Sequence, residues 1–587
     1  MTDSFARSTR SSADARGWGL TRRAWFKASG FDQIDLAKPV IGIAQTWSEL
    51  NHCHIHFREL AEAVKRGVWQ AGGWPLEFPT ISLGEFNVNP TTMLYRNLMA
   101  LDTEEMIRAQ PLDGVVLLAS CDKNIPAQLM GAFSADRPAI LLTGGPMLTS
   151  QWNGQLLGAC TDCRRLTEEY RAGRITRQQY AEIEDALGRT TGHCMVMGTA
   201  STMASLAEAL GMALPGTAAI PAPDSRRLRL AEAVGRQIVE LVRRQITPSQ
   251  IVTLQSFENA IRLLMAIGGS TNAVVHLPAL AGRLGLSLPL SLFDSLSRST
   301  PLIANVRPSG EFHMQDLFEA GGIPAVMREL KPLLHLDCLT VTGKTLGENL
   351  ERPNHPSLSA GVFLPEHRKP LAFVSENDVI RSLDQPLAKE GGIAVLTGNL
   401  CPRGAVIKQS AASPHLLRHR GRALVFQNQQ DLENRIDSPD LDVKPDDILV
   451  LQNAGPVGGP GMPEWGWFGI PKKLLDAGVR DMIRISDARM SGTSSGTVVL
   501  HVCPEAAIGG PLALVRNGDI IELDVEKRSL NLLVADDELA RRRQAWQAPP
   551  PHFTRGYGKL YIDHVLQADE GCDFDFCRSR PLSAPSC

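Results

Sequence analysis

Short, wholly apolar runs alternate with helical patterns over the first 150 residues, and this alternation restricts the possible folds more than any other feature. Three runs predict buried strands, namely Pro39–Ala44, Gly114–Ala119 and Ala139–Thr143. Helical patterns at Phe57–Gln70 and Met93–Ala109 lie between the first and second of these strands. Strands that are buried on both faces and joined by helices form parallel sheets, so the sequence predicts an N-terminal α/β domain.

The pattern changes twice in the rest of the chain. Helices dominate from about Asp162 to Leu350, and after about Pro370 short β-type runs recur between Gly, Pro and Asp turns. These runs are Ile393–Leu396, Ala423–Phe426, Ile448–Leu451, Met482–Ile485, Val498–Val502, Ile520–Leu523 and Leu530–Val534. We therefore expect two domains, residues 1–375 with the parallel sheet and residues 376–587 with a mostly β fold.

Composition excludes several classes of protein. The net charge is −3 and no long run of one sign occurs, which disfavours a nucleic-acid partner. No apolar stretch approaches the roughly 18–20 residues of a membrane helix. The 11 cysteines are odd in number and few for a chain of 587 residues. We therefore expect a protein of the reducing cytoplasm that is not built on disulfides. The arginine-rich first 25 residues also contain Asp3 and Asp14, and we expect them to belong to the mature protein.

Two cysteines stand where a ligand is favoured. Cys121 follows the strand Gly114–Ala119 after one intervening residue, and ligands of open α/β sheets bind at the carboxyl ends of strands. Cys194 precedes the predicted helix Ala200–Ala209, whose N-terminal dipole favours a thiolate or an anionic cluster. On spacing alone, however, these two and Cys53 fit buried structural thiols better.

Two other groups resemble metal sites. Cys160 and Cys163 have the spacing of a redox or zinc half-site, but no second pair matches them. His52, His54 and His56 would share one face of a strand, where zinc could bind, whereas the start of a helix would leave them as exposed histidines. We favour the helix start and disfavour a redox or zinc role for the cysteine pair.

Glycine-rich loops lead to further polar residues. The loops Gly268–Asn272 and Gly455–Gly461 fit no phosphate-binding template and are equally explained as tight turns. The second leads directly into Glu464, a carboxylate on a constrained loop. Ser491 follows a predicted strand end beside glycine, where a serine is approachable, although most such serines are ordinary loop residues. From these residues alone, the chain is an α/β enzyme that can be metal-dependent.

Several long segments in order make the sequence resemble the dihydroxy-acid/sugar-acid dehydratase family, and its sugar-acid branch in particular. The resemblance runs from about Gly17 to Phe576. The segments are Cys121–Ala127, Gly198–Ala204, Ala266–Ala273, Gly455–Glu464, Ser486–Thr493 and Arg555–Tyr561. The resemblance implies that the C-terminal domain is a barrel of the swivelling type, that the active site lies between the domains near a dimer interface, and that the protein is a homodimer or homotetramer.

The resemblance also implies the residues of the site. The cluster cysteines map onto Cys53, Cys121 and Cys194, with a 2Fe–2S cluster favoured over 4Fe–4S. The Mg²⁺ ligands map onto Glu85, Asp122, Lys123 and Glu464, with Lys123 carbamylated so that it offers an oxygen. Ser491 maps onto the base that removes the C2 proton, and Thr493 onto a neighbouring substrate contact.

The expected reaction is dehydration of a sugar acid (an aldonate of the arabinonate or xylonate type) to a 2-keto-3-deoxy acid. The alternatives are a dihydroxy-acid dehydratase of branched-chain biosynthesis and a non-catalytic iron–sulfur redox sensor. A phosphorylated sugar acid is disfavoured because no basic phosphate clamp is apparent. The sequence departs from the family pattern at Asn51–His54, Asn124-Ile125, Cys401 and Gln427–Gln430. These departures bear on which substrate is accepted, and those at His52 and His54 bear on the surroundings of the cluster.

Overall fold

A computed structural model describes residues 18–159, 161–351 and 376–579 of the chain. Within these residues no helix combines the length and the apolar character needed to cross a membrane. The expected boundary between residues 375 and 376 adjoins residues 352–375, which lie outside the described residues.

The described residues contain fourteen strands, numbered here in chain order. They are β1 (Val40–Gln45), β2 (Trp74–Pro79), β3 (Gly114–Leu118), β4 (Ala139–Leu142), β5 (Ser150–Trp152), β6 (Gln155–Leu157), β7 (Ala394–Gly398), β8 (Cys401–Ile407), β9 (Arg418–Phe426), β10 (Ile448–Leu451), β11 (Arg484–Ser486), β12 (Val498–Cys503), β13 (Ile520–Asp524) and β14 (Ser529–Leu532).

Twenty α-helices are described, besides short 3-10 turns. They are α1 (Trp18–Ala28), α2 (Phe57–Gln70), α3 (Thr92–Ala109), α4 (Asn124–Ala135), α5 (Thr161–Arg171), α6 (Arg177–Leu187), α7 (Thr199–Ala209), α8 (Ser225–Arg244), α9 (Pro248–Ile251), α10 (Leu254–Ala266), α11 (Ala273–Arg283), α12 (Leu290–Arg298), α13 (Met314–Glu319), α14 (Gly322–Glu329), α15 (Leu346–Leu350), α16 (Glu376–Val379), α17 (Gln429–Arg435), α18 (Lys472–Asp476), α19 (Asp536–Ala545) and α20 (Gly556–His564).

The N-terminal sheet is parallel, with strand order β2-β1-β3-β4. Every residue of β1, β3 and β4 is buried, whereas the edge strand β2 is buried only in part. Helices cover the sheet, and α2 crosses α8 very closely. A Cβ at Gly67 would lie 1.9 Å from the Glu232 carbonyl oxygen, and one at Gly235 would lie 2.2 Å from that of Val64. Glycine at both positions therefore allows this crossing.

The strands from Ala394 onward close into an eight-stranded barrel of order β10-β11-β12-β8-β7-β14-β13-β9. Strands β9 to β12 pair in parallel, and the remaining pairs are antiparallel except β14 with β7. The predicted fold class, a parallel-sheet α/β part followed by a β-barrel, is confirmed. Seven of the eight barrel strands overlap the predicted apolar runs, and β8 has no predicted counterpart.

The last described segment packs back onto the N-terminal part. Arg283 of α11 is fully buried and contacts both carboxylate oxygens of Asp573, at 2.7 and 3.0 Å. Arg283 also donates to Glu104 of α3 at 3.1 Å. This buried ion pair joins the end of the chain to two helices of the first half.

Candidate active site

A cavity lies between the carboxyl ends of the N-terminal strands and the loops of the barrel. Eight of the nine site residues expected from the sequence line this cavity, and the ninth, Lys123, is fully buried beside it. The eight are Cys53, Glu85, Cys121, Asp122, Cys194, Glu464, Ser491 and Thr493. The fold therefore brings together residues that are up to 440 positions apart in the chain.

The three thiols form one group on the N-terminal side of the cavity. Cys53 lies in the turn before α2, Cys121 follows β3, and Cys194 lies ahead of α7. Cys53 and Cys121 are each 3% exposed, and Cys194 is half-buried. A hydrogen bond with Cys121, burial, and the nearby charges of Cys121 and Cys194 raise the pKa of Cys53. The three thiols therefore lie close together, and this donor set fits a soft metal centre.

Three carboxylates form a second group. Oxygen atoms of Glu85, Asp122 and Glu464 lie within 4.8 Å of one another. The Lys123 Nζ lies 3.3 Å from Glu85 and 3.3 Å from Asp122. Carboxylate oxygens in this arrangement suit a hard divalent cation.

The pKa values of two carboxyls in this group are shifted by the charges around them. Although burial opposes it, the charges of Lys123 and Arg489 lower the pKa of Glu85. Burial raises the pKa of Asp122 to about 6, which Lys123 opposes and the charges of Glu85 and Glu464 reinforce. Excess negative charge is therefore concentrated where a cation would bind.

Two residues that the sequence analysis gave no role hold Glu464 in place. Arg489 is fully buried, and its Nη1 donates to Glu464 Oε1 at 3.1 Å while its Nε donates to the Met462 carbonyl at 2.7 Å. Asn272 Nδ2 donates to the same Glu464 oxygen at 3.3 Å. In the sequence, only the positions of these two residues point to the site. Arg489 lies two residues before Ser491, and Asn272 ends a conspicuous glycine-rich loop.

Ser491 and Thr493 form a hydroxyl pair, with 2.8 Å between their Oγ and Oγ1 atoms. The intervening Gly492 lies tightly against the first half of the chain, because a Cβ there would lie 2.5 Å from the Ser270 Cβ and 2.8 Å from the Thr199 amide nitrogen. Lys408, fully buried, donates to the Gly492 carbonyl at 3.2 Å. The serine loop is thus fixed from both sides.

Of the histidines near Cys53, His54 has a structural role. As expected, His52 to His56 precede a helix and do not form a strand, but His54 is buried rather than exposed. Its Nδ1 donates to the Thr46 carbonyl at 2.9 Å, and its Nε2 accepts the amide N–H of Cys121 at 3.0 Å. Burial lowers the pKa of His54 to about 3, so the ring is neutral. His54 therefore connects the end of β1 to the Cys121 loop.

The structure also locates the other residues at which the sequence departs from the family pattern. Asn124 donates to the Leu83 carbonyl at 2.7 Å and accepts the Leu83 amide N–H at 3.0 Å, which fixes the segment that carries Glu85. Cys401 is buried in the barrel, and Gln429 and Gln430 begin α17, away from the cavity. Cys163, from the cysteine pair, lines the cavity, whereas Cys160 lies outside the described residues.

Comparison with known proteins agrees with this site. Residues 38–349 match the family described as Dihydroxy-acid/6-phosphogluconate dehydratase N-terminal, and residues 378–572 match its C-terminal counterpart. The chain is 52% identical to L-arabonate dehydratase of Azospirillum brasilense (95% of this chain, 94% of the relative) and 49% identical to 6-deoxy-6-sulfo-D-gluconate dehydratase of Pseudomonas putida (95% of both chains). Dihydroxy-acid dehydratase of Moorella thermoacetica is 41% identical (95% and 99%). The predicted resemblance is confirmed, and the chain belongs to the dihydroxy-acid/6-phosphogluconate dehydratase family, a family of hydro-lyases.

Proposed function

We propose that this protein removes water from a sugar acid and forms a 2-keto-3-deoxy acid, using an iron–sulfur cluster and Mg²⁺. The observation that carries the proposal is one cavity that combines a soft thiol group, a hard carboxylate group and a serine–threonine pair. An electron carrier would need neither the carboxylates nor Ser491. The higher identity to sugar-acid dehydratases, 52% and 49%, than to a dihydroxy-acid dehydratase, 41%, supports the sugar-acid branch.

Cys53, Cys121 and Cys194 would hold the cluster, for which we propose the 2Fe–2S type. Three thiolates leave one iron a free coordination position, so the bound cluster supplies Lewis acidity at the departing hydroxyl. Glu85, Asp122 and Glu464 would hold Mg²⁺ through carboxylate oxygens. Carbamylation of Lys123, whose Nζ lies 3.3 Å from two of these carboxylates, would add an oxygen ligand to the same group.

Ser491 is proposed as the base. Its Oγ, as the alkoxide, takes the proton from C2, and the hydroxyl on C3 leaves with this proton as water, which restores the alkoxide. The resulting enol gives up the proton of its C2 hydroxyl and gains one at C3, which gives the keto acid. A serine hydroxyl is too weak a base by itself, so it needs neighbouring positive charge to favour the alkoxide. Thr493 Oγ1, 2.8 Å away, orients the Ser491 oxygen toward the cavity.

The remaining expectations complete the proposal. The protein would act in the cytoplasm as a homodimer or homotetramer, with its small-molecule substrate between an N-terminal domain that ends near residue 375 and the barrel. The second candidate function is dehydration of a branched 2,3-dihydroxy acid, since 41% identity still covers 95% of the chain.

The test is formation of 2-keto-3-deoxy acid by anaerobically purified, iron-loaded protein with Mg²⁺. The substrates are pentonates, hexonates, 6-phosphogluconate and 2,3-dihydroxyisovalerate. Turnover of one or a few sugar acids is expected, with Ser491→Ala lowering kcat by about 10²- to 10⁴-fold. Ser495→Ala is the matched control, because Ser495 is an exposed serine of the same loop.

Three outcomes would contradict the proposal. Turnover of 2,3-dihydroxyisovalerate alone would assign the second candidate function. No turnover by protein whose cluster is intact would favour a non-catalytic role. Full activity of Ser491→Ala would remove this serine as the base.

A further inference from the structure

The loop Gly455–Gly461 lies between the barrel strand β10 and Glu464, one of the three carboxylates of the cavity. A buried side chain, that of Glu505, lies directly against this loop. A Cβ at Gly455 would lie 2.7 Å from the Glu505 Oε2, so glycine at this position allows the carboxylate to approach the loop backbone. The contacts of Glu505 therefore bear on where the loop places Glu464.

The Glu505 carboxylate accepts hydrogen bonds from the loop and from a later segment of the chain. The Val457 amide nitrogen lies 3.0 Å from both carboxylate oxygens, and the Gly458 amide donates to Oε2 at 2.9 Å. The Gln567 Nε2 donates to Oε1 at 2.7 Å, and the Gln567 Oε1 accepts the Glu505 amide N–H at 3.0 Å. Glu505 is thus held by Gln567 on one side and holds two backbone amides of the loop on the other.

The donors to Glu505 are neutral amides, although the carboxylate is only 1% exposed. Burial, followed by the charge of Asp487, raises the pKa of Glu505 to about 7. A carboxylate buried in this way destabilises the fold, but amides bind an ionised acceptor about twice as strongly as a neutral one. Glu505 therefore fixes the loop more firmly than a neutral side chain would.

Further contacts continue from the loop to Glu464. The Met462 amide donates to the Gly459 carbonyl at 2.6 Å, and the Met462 carbonyl accepts the Arg489 Nε at 2.7 Å. Arg489 also donates to Glu464 itself. Among the described residues, those that line the cavity do not include Glu505, so we expect it to influence a cation there through this loop and not as a ligand.

We propose that Glu505 is a positioning residue for the divalent cation, because it holds the loop that places Glu464 beside Glu85 and Asp122. This inference rests on the proposed function, since it assumes that these three carboxylates hold Mg²⁺. Their oxygen atoms lie within 4.8 Å of one another. Mg²⁺ requires nearly ideal octahedral geometry, so a small displacement of Glu464 should weaken its binding.

The test measures binding of Mn²⁺, a paramagnetic substitute for Mg²⁺, to cluster-loaded protein without substrate. The EPR signal of free Mn²⁺ gives the Kd, and displacement by excess Mg²⁺ identifies the site. In Glu505→Gln the side-chain NH₂ group faces an N–H donor, so the amide cannot accept all the hydrogen bonds. We expect the Kd to rise about 10- to 100-fold, as for other residues that orient a metal ligand. Glu505→Asp keeps the charge and should raise the Kd less.

Glu208→Gln is the matched control, because Glu208 is another buried carboxylate that accepts backbone amides. It is 3% exposed, its Oε2 accepts the Gly216 amide N–H at 3.0 Å, and its Oε1 accepts that of Ala218. Burial raises the pKa of Glu208 to about 7, as it does for Glu505. The segment that Glu208 holds carries no proposed ligand. The control should therefore lose stability in urea but keep the wild-type Kd for Mn²⁺.

Two results would overturn the inference, namely an unchanged Kd in Glu505→Gln or an equal rise in Glu208→Gln. If Glu505→Gln does not fold, Gln567→Leu takes its place, since it removes one donor from the same carboxylate and should also raise the Kd. An unchanged Kd in that variant would overturn the inference as well. Because no substrate is present, the result does not depend on turnover. Wild-type protein that binds Mn²⁺ but dehydrates no sugar acid would contradict the proposed function alone.

Discussion

Replacement of Lys408 by methionine is expected to make the protein more stable near neutral pH and less active. The Lys408 side chain is fully buried, and its Nζ donates to the Gly492 carbonyl at 3.2 Å, directly between Ser491 and Thr493. Burial lowers the pKa of Lys408 from 10.5 to about 7. The buried amine lowers the stability of the fold but holds the loop of the proposed base, and functional sites often contain such destabilising residues.

The magnitude follows from linkage between protonation and folding. At about 1.4 kcal/mol per pKa unit, the difference between 10.5 and about 7 is a penalty of about 5 kcal/mol. The unfolded chain keeps this proton up to pH 10.5, so the penalty is complete below about pH 7 and disappears as the pH rises to 10.5. Methionine removes the penalty but leaves the Gly492 carbonyl without its donor, at a cost of about 1–3 kcal/mol.

The variant should therefore gain about 2–4 kcal/mol of unfolding free energy near pH 6 and lose its advantage near pH 10. Urea unfolding of cluster-loaded protein under anaerobic conditions at these two pH values measures the difference. Lys527→Met is the matched control, because the Lys527 side chain is 72% exposed and should show no such dependence. The Lys408→Met variant should also lose about 10- to 100-fold in kcat, because the serine loop loses its anchor.

The reasoning would be refuted by a Lys408→Met variant that is less stable than wild type near pH 6, or whose stability difference does not change with pH. Either result would mean that the amine is stabilised in the folded protein. Wild-type kcat in this variant would show that the contact with Gly492 does not position the serine loop.

Three further predictions follow from contacts in and around the site. Glu464→Gln should raise the Mg²⁺ concentration for half-maximal activity at least about tenfold, measured by metal titration, and an unchanged requirement would exclude it as a ligand. His54→Phe leaves the buried amide N–H groups of Ser120 and Cys121 without an acceptor, at about 1–3 kcal/mol each, so iron content per chain should fall, whereas full loading would contradict a positioning role. Arg283→Met leaves Asp573 as an unpaired buried charge and should cost about 3–5 kcal/mol in chemical unfolding, which Asp573→Asn in the same chain should partly restore.

Hydrophobic periodicity predicts most of the fold because burial decides it locally. The helix Phe57–Gln70 and the strand Ile448–Leu451 are predicted with the bounds that the structure has. Strand β8 was missed because Pro402 and Gly404 interrupt its apolar run, and both residues favour a turn in the sequence. In the structure Gly404 has φ 115° and pairs with Cys503 across a shift of register in the barrel.

The sequence identifies residues of the candidate site only where they belong to a recognised segment or follow a strand end. Cys121, Asp122 and Ser491 follow strand ends or belong to recognisable segments, and all three line the cavity. Arg489 belongs to the recognised segment Ser486–Thr493, but the segment does not show that its side chain contacts Glu464. Asn272 likewise ends a glycine-rich loop, and its contact with Glu464 depends on tertiary packing alone.

The division of the site between the two halves of the chain also bears on how the enzyme is assembled. The thiols of Cys53, Cys121 and Cys194 all precede the first barrel strand, which begins at Ala394, whereas Glu464 and Ser491 come after it. During synthesis the thiols are complete about 200 residues before the barrel starts. We therefore expect that the proposed cluster can be inserted into the first half of the chain before the barrel is synthesised and covers the thiols.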